Sequence, residues 1–288
     1  MPRKLCRFLA LGGAVILPIF LLLSPTLSWG LTYAPIPMAN AEKVIADTKP
    51  LLDYLSRVLG QEIRIQFLAS NEEVVRGFAE DRVDLAEIGP LPYLVLREVA
   101  PQARALLFFL EEGVVATYTC ALVAPFDGAA SVAELGGRDP LSLATTQRLS
   151  TCGPLAARWL LEQGGLDPER AGLEILGNHE AVALAVARAE FAAGTLKTLI
   201  ARRYQHLGVR ALAETPPLPV FALVANTQTL SETTLSALER ALRDAPLEER
   251  ARWILGRHGF APVTADAYAP LEDMLRQLGL TARDFLNP

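Results

Sequence analysis

Hydrophobic positions along this chain change their spacing repeatedly. Ile63, Ile65 and Phe67 alternate with polar residues, the period of a half-buried strand, whereas Leu51, Leu52, Leu55, Val58 and Leu59 recur at helical spacing and stop at Gly60. The same switching predicts strands over 84–88, 106–110, 118–124, 141–144, 173–176 and 221–225. It predicts helices over 71–80, 91–99, 154–164, 179–188 and in several segments after 231. Such alternation predicts an α/β fold. Open α/β sheets take their ligands beyond the carboxyl ends of the strands, where Gly89-Pro90 and Ser150-Thr151 both fall, so the two are expected to line one cleft. No repeat, low-complexity tract or Ser/Gly linker divides the chain. Any lobes must therefore be joined by crossover strands, expected near 118–124 and near 216–226, where Pro216, Pro217 and Pro219 precede Phe221-Ala222-Leu223-Val224.

The N-terminus departs from this pattern. Arg3, Lys4 and Arg7 precede an apolar run from Phe8 to Leu23, with small residues at Ser28 and Gly30. This order predicts a secretory signal over residues 1–30, cleaved after Gly30, and a protein exported to the periplasm; an uncleaved anchor is the alternative. Pro18 interrupts the run, which is short for a membrane span, and Cys6 stands ahead of it, where no lipid attachment is expected. Without these residues 24 Lys+Arg face 32 Asp+Glu, a net charge of −8. An acidic surface argues against nucleic acid or an anionic membrane as partner, so any anion must be held by local geometry.

Only Cys120 and Cys152 remain beyond the signal, in a compartment that oxidises thiols. They read either as a disulfide tying the strand at 118–123 to the loop at 149–153, or as a dithiol site for a thiophilic solute. Two cysteines without a third clustered ligand predict no metal.

The loop Leu149-Ser150-Thr151-Cys152-Gly153-Pro154 carries the candidate chemistry. Ser150 or Thr151 can cap a helix, Gly153 admits close approach of the backbone, and Pro154 suits a first helical turn. Free amides at a helix start carry roughly half a positive charge, enough to hold an oxyanion without a neutralising side chain. The plain alternative is an ordinary capped helix.

Taken together the motifs resemble the phosphonate/phosphite/phosphate-type solute-binding proteins of ABC importers. The resemblance runs from about Pro50 to about Thr229. It rests on Pro50-Leu51-Leu52-Asp53-Tyr54-Leu55-Ser56, on Asp84-Leu85-Ala86-Glu87-Ile88-Gly89-Pro90 with Tyr93, and on Tyr118. Ser131-Val132-Ala133-Glu134-Leu135-Gly136-Gly137, the Ser150-Thr151-Cys152-Gly153 loop and Gly177-Asn178-His179-Glu180-Ala181 continue it. It implies a type II periplasmic binding fold of two lobes, each a mixed sheet flanked by helices, joined by two crossover strands. The expected division is a first lobe over 31–119, a second over 120–221 with the anion loop, and a return strand with C-terminal helices over 222–288.

The resemblance further implies that Ser150, Thr151 and the amides of Cys152 and Gly153 hold an oxyanion, with a protonated His179 and an aromatic contact from Tyr93; Tyr118 is expected to be structural. Three departures bear on the solute. Ala192 stands where the family has Asp, Ala69-Ser70-Asn71 where a Tyr is usual, and Cys152 where a third hydroxyl is usual. Losing a carboxylate and an aromatic favours a small or neutral-tailed oxyanion: phosphite, phosphate or a simple phosphonate.

The expectation is a monomeric importer component that captures such an ion by hinge closure and presents it to a membrane permease, with no cofactor. The alternative is a sensor reporting a thiophilic oxyanion such as arsenite to a membrane kinase. Enzyme activity is not expected: the chain lacks a Gly-x-Ser-x-Gly elbow, a Walker loop and a dinucleotide fingerprint, and nothing orients His179 toward Ser150 as a base.

Overall fold

The structure is a computed structural model describing residues 30–286; the expected signal segment, except Gly30, lies outside the described residues. In chain order the elements are β1 (Leu31–Ala34), α1 (Ala41–Leu59), β2 (Ile63–Ile65), α2 (Asn71–Ala79), β3 (Leu85–Ile88), α3 (Pro90–Val99) and β4 (Ala103–Phe109). There follow β5 (Thr117–Tyr118), β6 (Cys120–Pro125), α4 (Val132–Leu135), β7 (Leu141–Thr145), α5 (Ala156–Gln163), β8 (Ala171–Ile175), α6 (His179–Ala187), β9 (Ala193–Lys197) and α7 (Thr198–Tyr204). The chain ends with β10 (Val209–Glu214), β11 (Leu218–Pro219), β12 (Ala222–Asn226), α8 (Glu232–Arg243), α9 (Leu247–Arg250), β13 (Phe260–Pro262) and α10 (Ala269–Gln277).

These form two mixed sheets. The first has the order β13-β4-β12-β3-β1-β2, with β1 parallel to β2 and β3 and with β12 antiparallel to β3 and β4. The second has the order β10-β6-β9-β7-β8, with β7 parallel to β8 and β9. The chain crosses between them twice, from β4 to β6 and from β10 back to β12. At the crossing β5 and β11 form a two-residue antiparallel ladder, Leu218 against Tyr118 and Pro219 against Thr117. So short a ladder resists bending far less than the sheets on either side.

Local signals place the helices that matter for function. The Asn40 side chain caps α1, which then continues through Pro50 and stops at Gly60 in the left-handed conformation (φ 64°). Ser70 caps α2 and Asn178 caps α6. The expected helix over 154–164 begins later than predicted: Thr151–Leu155 is a wide turn with non-helical Cys152 and Gly153, and regular α-helix starts at Ala156.

Each lobe buries its own core. Tyr33, Leu55, Leu85 and Trp253 pack in the first, and Val182, Val186, Leu196 and Val209 in the second. A third cluster runs across both, joining Phe78 and Leu91 to Leu143 and Leu155, with Leu271 of α10 behind them. The lobes are closed on one another.

Candidate functional site

Between the lobes lies a pocket with about 40 Å³ of free space. Its walls are loops at the carboxyl ends of strands: Ile36–Met38 after β1, Asn71 at the start of α2, Gly89 and Pro92 around the start of α3, Thr146–Cys152 after β7, Gly177–His179 at the start of α6, and Lys197 ending β9. Tyr118 and Phe221 close it from the crossing. No carboxylate lines it among the described residues.

The loop after β7 joins the lobes. The Gln147 side chain donates to the Pro37 carbonyl (2.8 Å) and accepts from the Asn71 amide (3.0 Å). Thr151 Oγ1 accepts from the Leu91 amide (3.0 Å). The Thr151 hydroxyl is also hydrogen-bonded to the Tyr118 hydroxyl, whose pKa burial pushes up. Amides at the starts of α2 and α3 are thus engaged by second-lobe side chains.

Several expected roles change. Thr151 bonds the other lobe and Tyr118, so it latches the cleft. The Gly153 amide donates to the Ser150 carbonyl (3.0 Å), and its own carbonyl accepts from Thr195 (3.1 Å). Gly153 lies behind the pocket wall, where a Cβ would stand 2.6 Å from the Gln147 carbonyl oxygen. Glycine is required there by the loop's own packing. Ser150 makes no side-chain cap, leaving its hydroxyl on the pocket wall. Cys152 lines the pocket with its sulfur bonded to Cys120 (Cα–Cα 5.1 Å).

Tyr93 does not line the pocket. Pro92 faces the cleft, and the next residue along α3 turns toward the first lobe. There Tyr93 packs on Tyr268 (ring centroids 4.7 Å apart) and accepts from the Ala105 amide (3.3 Å). The aromatic walls of the pocket are Tyr118 and Phe221 instead.

His179 lines the pocket, but neutral. Its Nδ1 accepts from the Lys197 amide (3.2 Å), which assigns the proton to Nε2. Burial, then the neighbouring Lys197 charge, push its pKa down to about 3, so the ring is a neutral donor. The charge comes from Lys197, whose side chain is only 8% exposed. Its ammonium pairs with Glu111 (2.5 Å) and lies over the Tyr118 and Phe221 rings, 5.1 and 5.0 Å from their centroids. Glu111 is outside the pocket wall; Lys197 lines the pocket and, together with Glu111, a shallow depression on the other side of Tyr118.

Thr146 completes the set. It lines the pocket, is 2% exposed, and its hydroxyl, buried beside Gly153, has no hydrogen-bond partner. An orphaned buried hydroxyl costs about 1–3 kcal/mol unless something fills its place. Thr146, Gln147 and Lys197 carry no motif, and Phe221 reads from sequence only as part of a crossover strand; the paired hydroxyls Thr145-Thr146 after a strand are the one available signal. Among the described residues no group of three or more His, Cys, Asp or Glu could hold a metal ion.

One cation, a neutral imidazole N–H, two hydroxyls and the unpaired first-turn amides of α6 suit an oxyanion. Comparison with known proteins agrees in kind. A binding protein component of an ABC phosphonate transporter from Pseudomonas aeruginosa is similar, with 18% identity, a TM-score of 0.74, and 86% of each chain covered. PhnD1 from Prochlorococcus marinus, solved in complex with methylphosphonate, has 17% identity and a TM-score of 0.72 over 86% of this chain and 98% of its own. The aliphatic sulphonate binding protein SsuA from Escherichia coli is more distant, with 15% identity and a TM-score of 0.55 over 87% of this chain and 85% of its own. These likenesses establish the two-lobe type II periplasmic binding fold. The family described as "ABC transporter, phosphonate, periplasmic substrate-binding protein" matches residues 33–268. The chain therefore belongs to the periplasmic substrate-binding proteins of ABC phosphonate transporters, a family of solute carriers and not of enzymes.

Proposed function

We propose that this protein captures a small oxyanion, a phosphite, phosphate or phosphonate headgroup, between its lobes and presents it to a membrane permease, acting as a monomer exported by its N-terminal signal. The carboxylate-free lining of the pocket carries this reading most directly: Ser150, His179 and Lys197 stand in its wall with the start of α6. Thr146, in the same wall, adds a buried hydroxyl with no hydrogen-bond partner. The ion docks on the second lobe, and closure brings Ile36–Met38 and Gly89 over it. Closure removes water, which strengthens every N–H and O–H contact to the charge, and one closed shape is what a permease can recognise.

The bond between Cys120 and Cys152 favours transport over arsenite sensing, which needs both thiols free. A thermal-shift screen against phosphate, phosphite, methylphosphonate, sulfate and arsenite tests the reading. Methylphosphonate or phosphite should raise the melting temperature, and Ser150→Ala with Thr146→Val should remove the shift. A response to arsenite alone, with two titratable thiols, would favour the sensor.

A further inference from the structure

A second cavity adjoins the capture pocket. It holds about 380 Å³, against about 40 Å³ for the pocket, and the two share Ile36, Met38 and His179 as walls. The inorganic ion, or a methyl group on it, leaves this cavity empty. Val44 and Leu51 on α1, Ile200 on α7, and Ile254 with Leu255 beyond α9 supply apolar wall. Three carboxylates also line it. Glu87, buried at the end of β3, accepts from the Tyr33 hydroxyl (2.5 Å) and the Ile36 amide (3.4 Å). Asp47 pairs with Lys43 (2.8 Å), and Glu180 is hydrogen-bonded to Tyr204. The basic residues Lys43 and Arg203 occupy exposed positions.

Lys43 and Arg203 offset these carboxylates, so the lining selects no charge on a tail. A carbon tail against the apolar wall gains from each methylene removed from water.

We propose that the solute is a phosphonate or phosphate monoester with an uncharged, largely apolar substituent, its oxyanion head in the pocket and its tail in the adjoining cavity, with His179 at the junction. This rests on the oxyanion reading above and adds the class of tail.

Isothermal titration of the purified protein with methyl-, butyl-, phenyl- and 2-aminoethylphosphonate and with phenyl phosphate tests it. Each added methylene should tighten binding about fourfold, so butylphosphonate should bind tens of times more tightly than methylphosphonate. Phenylphosphonate against phenyl phosphate then identifies which linkage the head prefers. Ile200→Trp and the exposed Ile254→Trp, each filling the cavity, should abolish the gain from butyl while leaving methylphosphonate affinity unchanged. Equal affinities for methyl and butyl would overturn the tail site while keeping the oxyanion site. A preference for the aminoethyl compound over butyl, or a butyl gain untouched by both tryptophans, would overturn it equally. Failure of every compound to bind would overturn both readings.

Discussion

The two walls of the cleft contribute unequally. The second lobe contributes Lys197, the His179 imidazole, the Thr146 and Ser150 hydroxyls and the start of α6; the first contributes the apolar Ile36–Met38 loop and two helix-start amides that second-lobe side chains already occupy. One wall is built to hold charge and the other to cover it. An ion can thus dock on the second lobe while the cleft is open, and the first lobe adds mainly exclusion of water. The contrast yields measurable asymmetries.

The largest concerns charge. Lys197→Met should weaken oxyanion binding by about 10- to 100-fold, the range for a hydrogen bond to a charged group. It should also destabilise the fold by about 3 kcal/mol by orphaning the largely buried Glu111. Adding Glu111→Gln should restore stability but not affinity; recovery of both would make Lys197 a structural residue only. Replacing Cys120 and Cys152 by Ala should cost about 2–4 kcal/mol in urea unfolding, since the bond closes a loop between residues 32 apart.

Next in size is a pair of opposed pH effects, one from each lobe. Glu87 in the first lobe has its pKa raised by burial from 4.5 to about 7. The folded state keeps that proton where the unfolded state loses it, so stability from Glu87 falls as pH rises from 4.5 to 7. His179 in the second lobe has its pKa lowered from 6.5 to about 3, so its contribution rises over pH 3 to 6.5. Between pH 4.5 and 6.5 the two oppose and largely cancel. Chemical denaturation across that window should show Glu87→Gln gaining stability with rising pH and His179→Gln losing it. Slopes unchanged from the parent protein would contradict these assignments.

A smaller effect separates hydroxyls. Thr146→Val should leave the unliganded melting temperature unchanged or raised, because the deleted hydroxyl has no partner, while weakening oxyanion binding about fivefold. Tyr93→Phe should leave binding untouched and cost at most about 1 kcal/mol, since its hydroxyl serves only the Ala105 amide.

The same residues explain what was legible beforehand. Helical stripes and capping residues such as Ser70 and Asn178 are local, so α2, α3, α5 and α6 could be read within a few residues, and with them the loops that meet at the cleft. Strand β9 could not. Ala193-Gly194-Thr195-Leu196-Lys197 is buried on both faces, so it shows no alternation, and the cation at its end went unnoticed with it. Tyr93 misses the pocket because one step along a helix, from Pro92, turns a side chain by about 100°, beyond what a motif can resolve; Tyr118 reaches it from strand β5 at the crossing. Gly153 and Thr151 have the residue types of an anion loop, yet one packs against the loop's own carbonyl and the other latches the lobes. Residue type limits what a loop can do, and three-dimensional packing decides which donors stay free.

The most direct test is a crystal structure of the protein with methylphosphonate bound. The account predicts the phosphonate oxygens within hydrogen-bond distance of Thr146 Oγ1, Ser150 Oγ and His179 Nε2, with Lys197 beside them and the Gly153 amide still bonded to Ser150. A phosphonate seated elsewhere, or in the cleft but touching neither Thr146 nor Ser150, would contradict it.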